Sequence, residues 1–131
     1  MATDLGIRAT VNLTYEQAIQ KTADALKVEG FGVLTQIDAQ AVLKQKLNVD
    51  FRRYMILGAC NPAFAHRSLS ANLDVGLLLP CNVTVYEEGK DTVVTAVDPV
   101  AMLGSFRADP VLYEVAAEVR TRLRRVIASL K

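Results

Sequence analysis

Residues 81–97 read as two alternating runs joined by the turn Glu88-Gly-Lys-Asp91. In the first run Cys81, Val83 and Val85 share one face, with Asn82, Thr84 and Tyr86 on the other. Thr92 to Val97 is the returning run. Alternation of period two around a glycine-containing turn is the signature of a β-hairpin. Strands in a hairpin are antiparallel, so the sheet that holds them is not a purely parallel, doubly wound one.

The rest of the chain must be fitted around that hairpin. Leu5 to Leu13 alternates, with Ile7, Ala9, Val11 and Leu13 on one side, and reads as a half-buried strand. Thr14-Tyr-Glu-Gln17 has the form of a capping box. The helix it opens carries Tyr15, Ala18, Ile19, Thr22, Ala23 and Leu26 at helical spacing, and Gly30 stands just past its end. Phe31 to Ile37 reads as a second strand, with Phe31, Val33, Thr35 and Ile37 on one face. Asp38 is placed to cap a short helix whose apolar side is Ala39, Val42, Leu43 and Leu47.

From Tyr54 to Cys60 both faces are apolar, which predicts a strand that is central or lies under a partner subunit. Asn61-Pro62 has the residue types of an N-cap and first helical position, and predicts a helix to about Ala71. Residues 72–76 read as a loop, and Pro80 interrupts Leu77-Leu-Leu79. Asp98-Pro99 opens a short helical turn through Leu103-Gly104. Asp109-Pro110 opens the last helix, with Leu112, Val115, Ala116, Val119, Leu123, Val126, Ile127 and Leu130 in one stripe. These elements predict an α+β protein: a two-layer α/β sandwich on a mixed five-stranded sheet, with helices packed mainly on one face.

Composition narrows the class of function. The 131 residues suit a single domain, 1–131, and 51% are hydrophobic, which excludes a disordered chain. With 15 Lys+Arg against 14 Asp+Glu, the net charge of +1 argues against nucleic acid as a partner. Residues 107–131 carry an excess of base, which reads as a solvated helix face with Glu118–Arg122 pairing. The N-terminus lacks the features of a signal peptide, and no apolar run reaches the roughly 18 residues of a membrane span. The expectation is a cytoplasmic protein with reduced thiols and no membrane partner.

Chemistry-bearing residues gather in Gly58-Ala-Cys-Asn-Pro-Ala-Phe-Ala-His66. Cys60 ends a strand one residue before a helix cap, where unpaired N–H groups and the helix dipole lower a thiol pKa and favour anions. The bland alternative is a small packing residue, since free cysteine is among the most buried types. Cys81 also stands at a strand end beside an asparagine. If strands 54–60 and 81–87 are antiparallel neighbours, the two cysteines are close enough to share a disulfide or a ligand. His66, the single histidine, lies more than a turn beyond the cap. It could activate Cys60, but Cys-x5-His is no zinc signature and a surface histidine is the more ordinary reading. Tyr54, Arg53 and Asp98 could add polar groups, Asp98 more simply as a cap. Ser68 and Ser70 lack a nucleophile-elbow context, and no motif names a cofactor or a metal.

Four segments in order, Glu29-Gly-Phe-Gly-Val-Leu-Thr-Gln-Ile-Asp38, Leu57-Gly-Ala-Cys-Asn-Pro62, Leu77-Leu-Leu-Pro-Cys81 and Val97-Asp-Pro-Val-Ala-Met102, resemble domain-of-unknown-function family 302. The resemblance spans Thr10 to about Arg125. It implies a compact α/β domain that tends to form homodimers, and no established activity or cofactor. The family's Cys-Asn-Pro and Pro-Cys motifs fall here on Cys60, Asn61, Pro62, Pro80 and Cys81.

Three functions are then in play, with a metal site of Cys60, Cys81 and His66 as a fourth, weaker reading. The first is a small-ligand or anion binding domain, with its site at the helix start and lined by Cys60, Asn61, Pro62 and Cys81, with His66 nearby. The second is redox or sulfur-handling chemistry, with Cys60 as attacking thiolate and Cys81 as resolving partner, the two candidate catalytic residues. The third is a structural or interaction module without chemistry, in which the surplus apolar residues serve a homodimer.

Overall fold

The computed structural model describes residues 5–103, 106 and 108–131. The reading of Met1 to Asp4 and the expected end of a turn at Gly104 lie outside them. Five strands form one sheet: β1 (Gly6–Val11), β2 (Gly32–Asp38), β3 (Tyr54–Cys60), β4 (Cys81–Glu88) and β5 (Asp91–Val97), in the order β1-β5-β4-β3-β2. Every pairing is antiparallel. The α+β sandwich holds, but the sheet is antiparallel throughout rather than mixed. Its helix-containing links from β2 to β3 and from β3 to β4 join neighbours that run in opposite directions. Neither is a parallel crossover.

The helices are α1 (Tyr15–Val28), α2 (Ala39–Leu47), α3 (Pro62–Ala71), α4 (Pro99–Met102) and α5 (Pro110–Ser129), with a 3-10 turn over Leu73–Leu78. Local chemistry sets their ends. Thr14 and Gln17 close the capping box reciprocally, at 3.0 and 3.1 Å. At the other end of α1 the Gly30 N–H donates to Lys27 O and the Phe31 N–H to Leu26 O. This is a Schellman closure, and it needs the left-handed Gly30, at φ +88°. Asp98 accepts from Val100 and Ala101 and opens α4; Asp109 accepts from Val111 and Leu112 and opens α5. Where a loop and an interrupted strand were expected, Asn72 accepts from Asp74 N and starts the 3-10 turn, leaving Leu73 and Leu77 exposed.

The main core lies between one sheet face and the helices. Leu57 and Ala59, Val83 and Val85, Val94 and Ala96 meet the predicted stripe of α5 and the buried face of α1. β3 is an interior strand, between β2 and β4; its Leu57 and Ala59 face the main core, while Tyr54, Ile56 and Cys60 on the other face are half-buried. β2 departs from simple alternation. Its pairing shifts between Val33 and Thr35, so Val33 stays with the core while Thr35 and Ile37, opposite Gly58 and Ile56, turn to the other face. A second, smaller apolar cluster joins Val75, Leu103, Leu112 and Ala116.

Candidate functional site

The junction of β3 and α3 is built by register. Ala59 pairs with Cys81, and Cys60 with Gly32, so the two cysteines lie on adjoining chain positions. Strand alternation then separates their side chains. Cys81 leaves the sheet with Ala59 on the helix-covered face, and Cys60 leaves on the other. Both are free thiols. Cys81 is 8% exposed and part of the main core, whereas Cys60 is half-buried. Burial, with a smaller contribution from Cys60, pushes the Cys81 thiol up to about 11.

The neighbouring residues shape the same place. A Cβ at Gly58 would collide with Thr35 Oγ1 and stand 2.9 Å from Pro80 Cγ. Glycine therefore lets β2 and Pro80 close against β3, beside the face that carries Cys60. The Leu79–Pro80 peptide is cis. Asn61 caps α3, its Oδ1 accepting from Phe64 N at 3.5 Å, while Ala65 N donates to Asn61 O. Pro62 has no N–H to offer. Of the first-turn donors within α3, this leaves the Ala63 N–H.

Positive charge near the junction is already engaged. Arg122 donates to Glu29 O at 3.0 Å and to Glu118 at 3.1 Å, and its guanidinium lies 5.0 Å from the Phe64 ring centre. Arg125 donates from Nε and Nη2 to the Glu29 carboxylate, the closest approach being 2.7 Å. That hydrogen bonding holds the Glu29 carboxyl below its ordinary pKa. The predicted Glu118–Arg122 pair is present, but its arginine also ties α5 to the end of α1.

The remaining candidates sit elsewhere. His66 is exposed on α3, and among the described residues no three His, Cys, Asp or Glu side chains gather to hold a metal. Arg53 pairs with Glu16 and Glu87 and lies 5.6 Å from the Tyr15 ring centre, binding α1 to the hairpin. Tyr54 stacks on Tyr86 at 5.2 Å on the sheet face opposite the main core. Asp98 is buried, caps α4 and pairs with Arg120 at 3.1 Å. Ser68 is buried, and with Cys81 it lines a small apolar cavity of about 50 Å3. Among the described residues, broader depressions lie around Phe51 and Arg52, around Thr14 and Lys90, and between α3 and α5.

One surface was not singled out by the sequence. No residue of α2 is buried, although it carries Val42, Leu43 and Leu47. Around it Leu34, Ile37, Val49 and Phe51 are also exposed, Leu34 at 68% and Leu47 at 65%. The available signal was the crowding of apolar residues into 34–51. Their periodicity alone does not show that the core lies out of reach.

Comparison with known proteins gives a family. The model described as Domain of unknown function DUF302 matches residues 7–130. The crystal structure of the uncharacterized conserved protein DUF302 from Bacillus stearothermophilus is similar over 98% of this chain and 100% of that chain. Its TM-score is 0.91 and its sequence identity 34%. No curated protein matches the chain.

Proposed function

The chain belongs to the DUF302 family, a domain of unknown function, and from that footing we propose that it works as a self-associating module whose unit is a homodimer. The observation that carries this reading is α2, a helix with an apolar side and no buried residue. A monomer rarely leaves a large contiguous apolar patch in water, because its burial is the main source of association free energy. The exposed residues are clustered along the chain: β2 is an edge strand, α2 follows it directly, and Val49 and Phe51 lie in the segment after α2.

A second copy is the occupant that suits its chemistry. Residues 34–51 hold Asp38 and Asp50 against Lys44 and Lys46, and Lys44 already pairs with Asp50 at 3.1 Å. A surface of balanced charge meets its own copy without net repulsion, as a two-fold interface requires. The irregularity at Leu34 interrupts the regular ladder at the edge of β2, so the contact is assigned to side chains rather than to strand addition.

Sedimentation velocity of the wild type and of a Val42→Asp, Leu47→Asp variant tests the reading. The wild type is expected as a dimer and the variant as a folded monomer with an unchanged circular dichroism spectrum. A wild type that sediments as a monomer at every concentration overturns it.

Thiol chemistry is the second reading, and it draws support at Cys60 alone, which is half-buried next to the start of α3. The raised pKa of Cys81 makes it a poor attacking thiolate and a poor leaving group. Anion binding at the same helix start draws less support. Pro62 lacks a donor, Asn61 occupies another, and Arg122 and Arg125 are spent on Glu118 and Glu29.

A further inference from the structure

The second apolar cluster is walled by short pieces, the 3-10 turn and α4, together with one face of α5. Short elements place few side chains, and here they leave a cavity of about 50 Å3. Val75, Leu112 and Ala116 are among its apolar walls, and Met102 stands half-buried on it as a flexible rim. Among the described residues the lining offers two polar side chains, Ser68 and Cys81.

That balance decides what fits. A buried water needs about 10–15 Å3 and two to four polar partners. The cavity has room for more than one water and opens partly to solvent, but among the described residues its walls offer only a hydroxyl and a weakly bonding thiol, so it holds ordered water poorly. No carboxylate or cationic side chain faces it among the lining residues, and the thiol stays protonated well above neutrality. An apolar occupant gains the dispersion contacts that an empty wall forfeits. A dry cavity of about 150 Å3 accommodates benzene, so one of a third that volume suits roughly two or three heavy atoms.

We propose that this cavity is a binding site for a small, uncharged, apolar molecule of about two or three heavy atoms. The site shares no residue with the β2–α2 surface, so it stands whether or not the chain self-associates.

Methyl NMR of the full chain under xenon pressure tests the site directly. Saturable shifts are expected at Val75, Met102 and Leu112, with none at Val42 and Leu47 on the exposed patch. Ala116→Val fills the space and is expected to weaken xenon binding by at least about tenfold while the spectrum stays dispersed. Leu112→Ala enlarges it and is expected to admit benzene, which the wild type excludes. Should Ala116→Val fail to fold, Leu112→Ala decides alone. Shifts that do not saturate, xenon binding unchanged in a folded Ala116→Val, or no benzene response in Leu112→Ala overturn the proposal.

Discussion

Cys60 and Cys81 share a neighbourhood and differ in burial. Cys81 is inside the main core and Cys60 is not. Burial raises the Cys81 pKa from 9.0 to about 11, so the folded protein holds a proton that the unfolded chain releases near 9. The resulting stability is complete below about pH 9 and is lost as pH rises toward 11, since the unfolded state then binds fewer protons. A shift of this size corresponds to about 2–3 kcal/mol. Tyr15 is raised too, by burial first and then by Asp38, and it slopes the same way. The wild type is therefore to be compared with Cys81→Ala in urea titrations from pH 8 to 11. The wild type is expected to lose stability more steeply; equal slopes would refute the assignment. Iodoacetamide on the folded protein near pH 8 is expected to label Cys60 and spare Cys81, with both labelled in urea.

Between elements, the end of α1 meets the start of α3 and the side of α5 at Gly30. Gly30 supplies the left-handed turn, and a Cβ there would stand 2.9 Å from Asn61 Nδ2 and 3.5 Å from Arg122 Nη1. Gly30→Ala strains the backbone and presses on the cap of α3 together, and is expected to cost more than about 1 kcal/mol. Gly32, two residues on, has nothing within 4 Å of its Cβ position and serves as the control. Its alanine variant is expected to be at least as stable as the wild type by chemical denaturation; equal losses in both variants would sink this account of Gly30. Such caps were legible in the sequence because they are local. Thr14 with Gln17, Asn61 with Pro62, and Asp109 with Pro110 each act within one turn of their own helix. The irregularity in β2 was not legible, because it exists only in the pairing of Val33 and Thr35 with β3. The closeness of the cysteines hung on β3 and β4 being antiparallel neighbours, a pairing the sequence left open, and their opposite faces depend on Ala59, not Cys60, standing across from Cys81.

For the whole molecule, what remained hidden was which apolar residues the core can reach. The stripe of α5 divides between the main core and the second cluster, and the alternation of β4 ends in the main core, as their periods predict. The apolar side of α2 has the same kind of pattern but buries no residue, and its Val42 and Leu47 are exposed. Periodicity tells which side of an element is apolar, not whether another element is there to meet it. The proposed homodimer would resolve that mismatch, and it would carry a thermodynamic signature that shape alone does not. If folded copies associate and unfolded chains do not, mass action couples stability to concentration. The melting temperature of the wild type is then expected to rise with protein concentration. That of the Val42→Asp, Leu47→Asp variant is expected to stay constant, at the value the wild type approaches on dilution. The coupling is specific to this surface, because the main core and the Schellman closure lie within one chain and do not respond to concentration. Calorimetry across a hundredfold dilution series checks it, and a wild-type melting temperature that is flat across the series would leave α2 exposed for some reason other than a second copy of this chain.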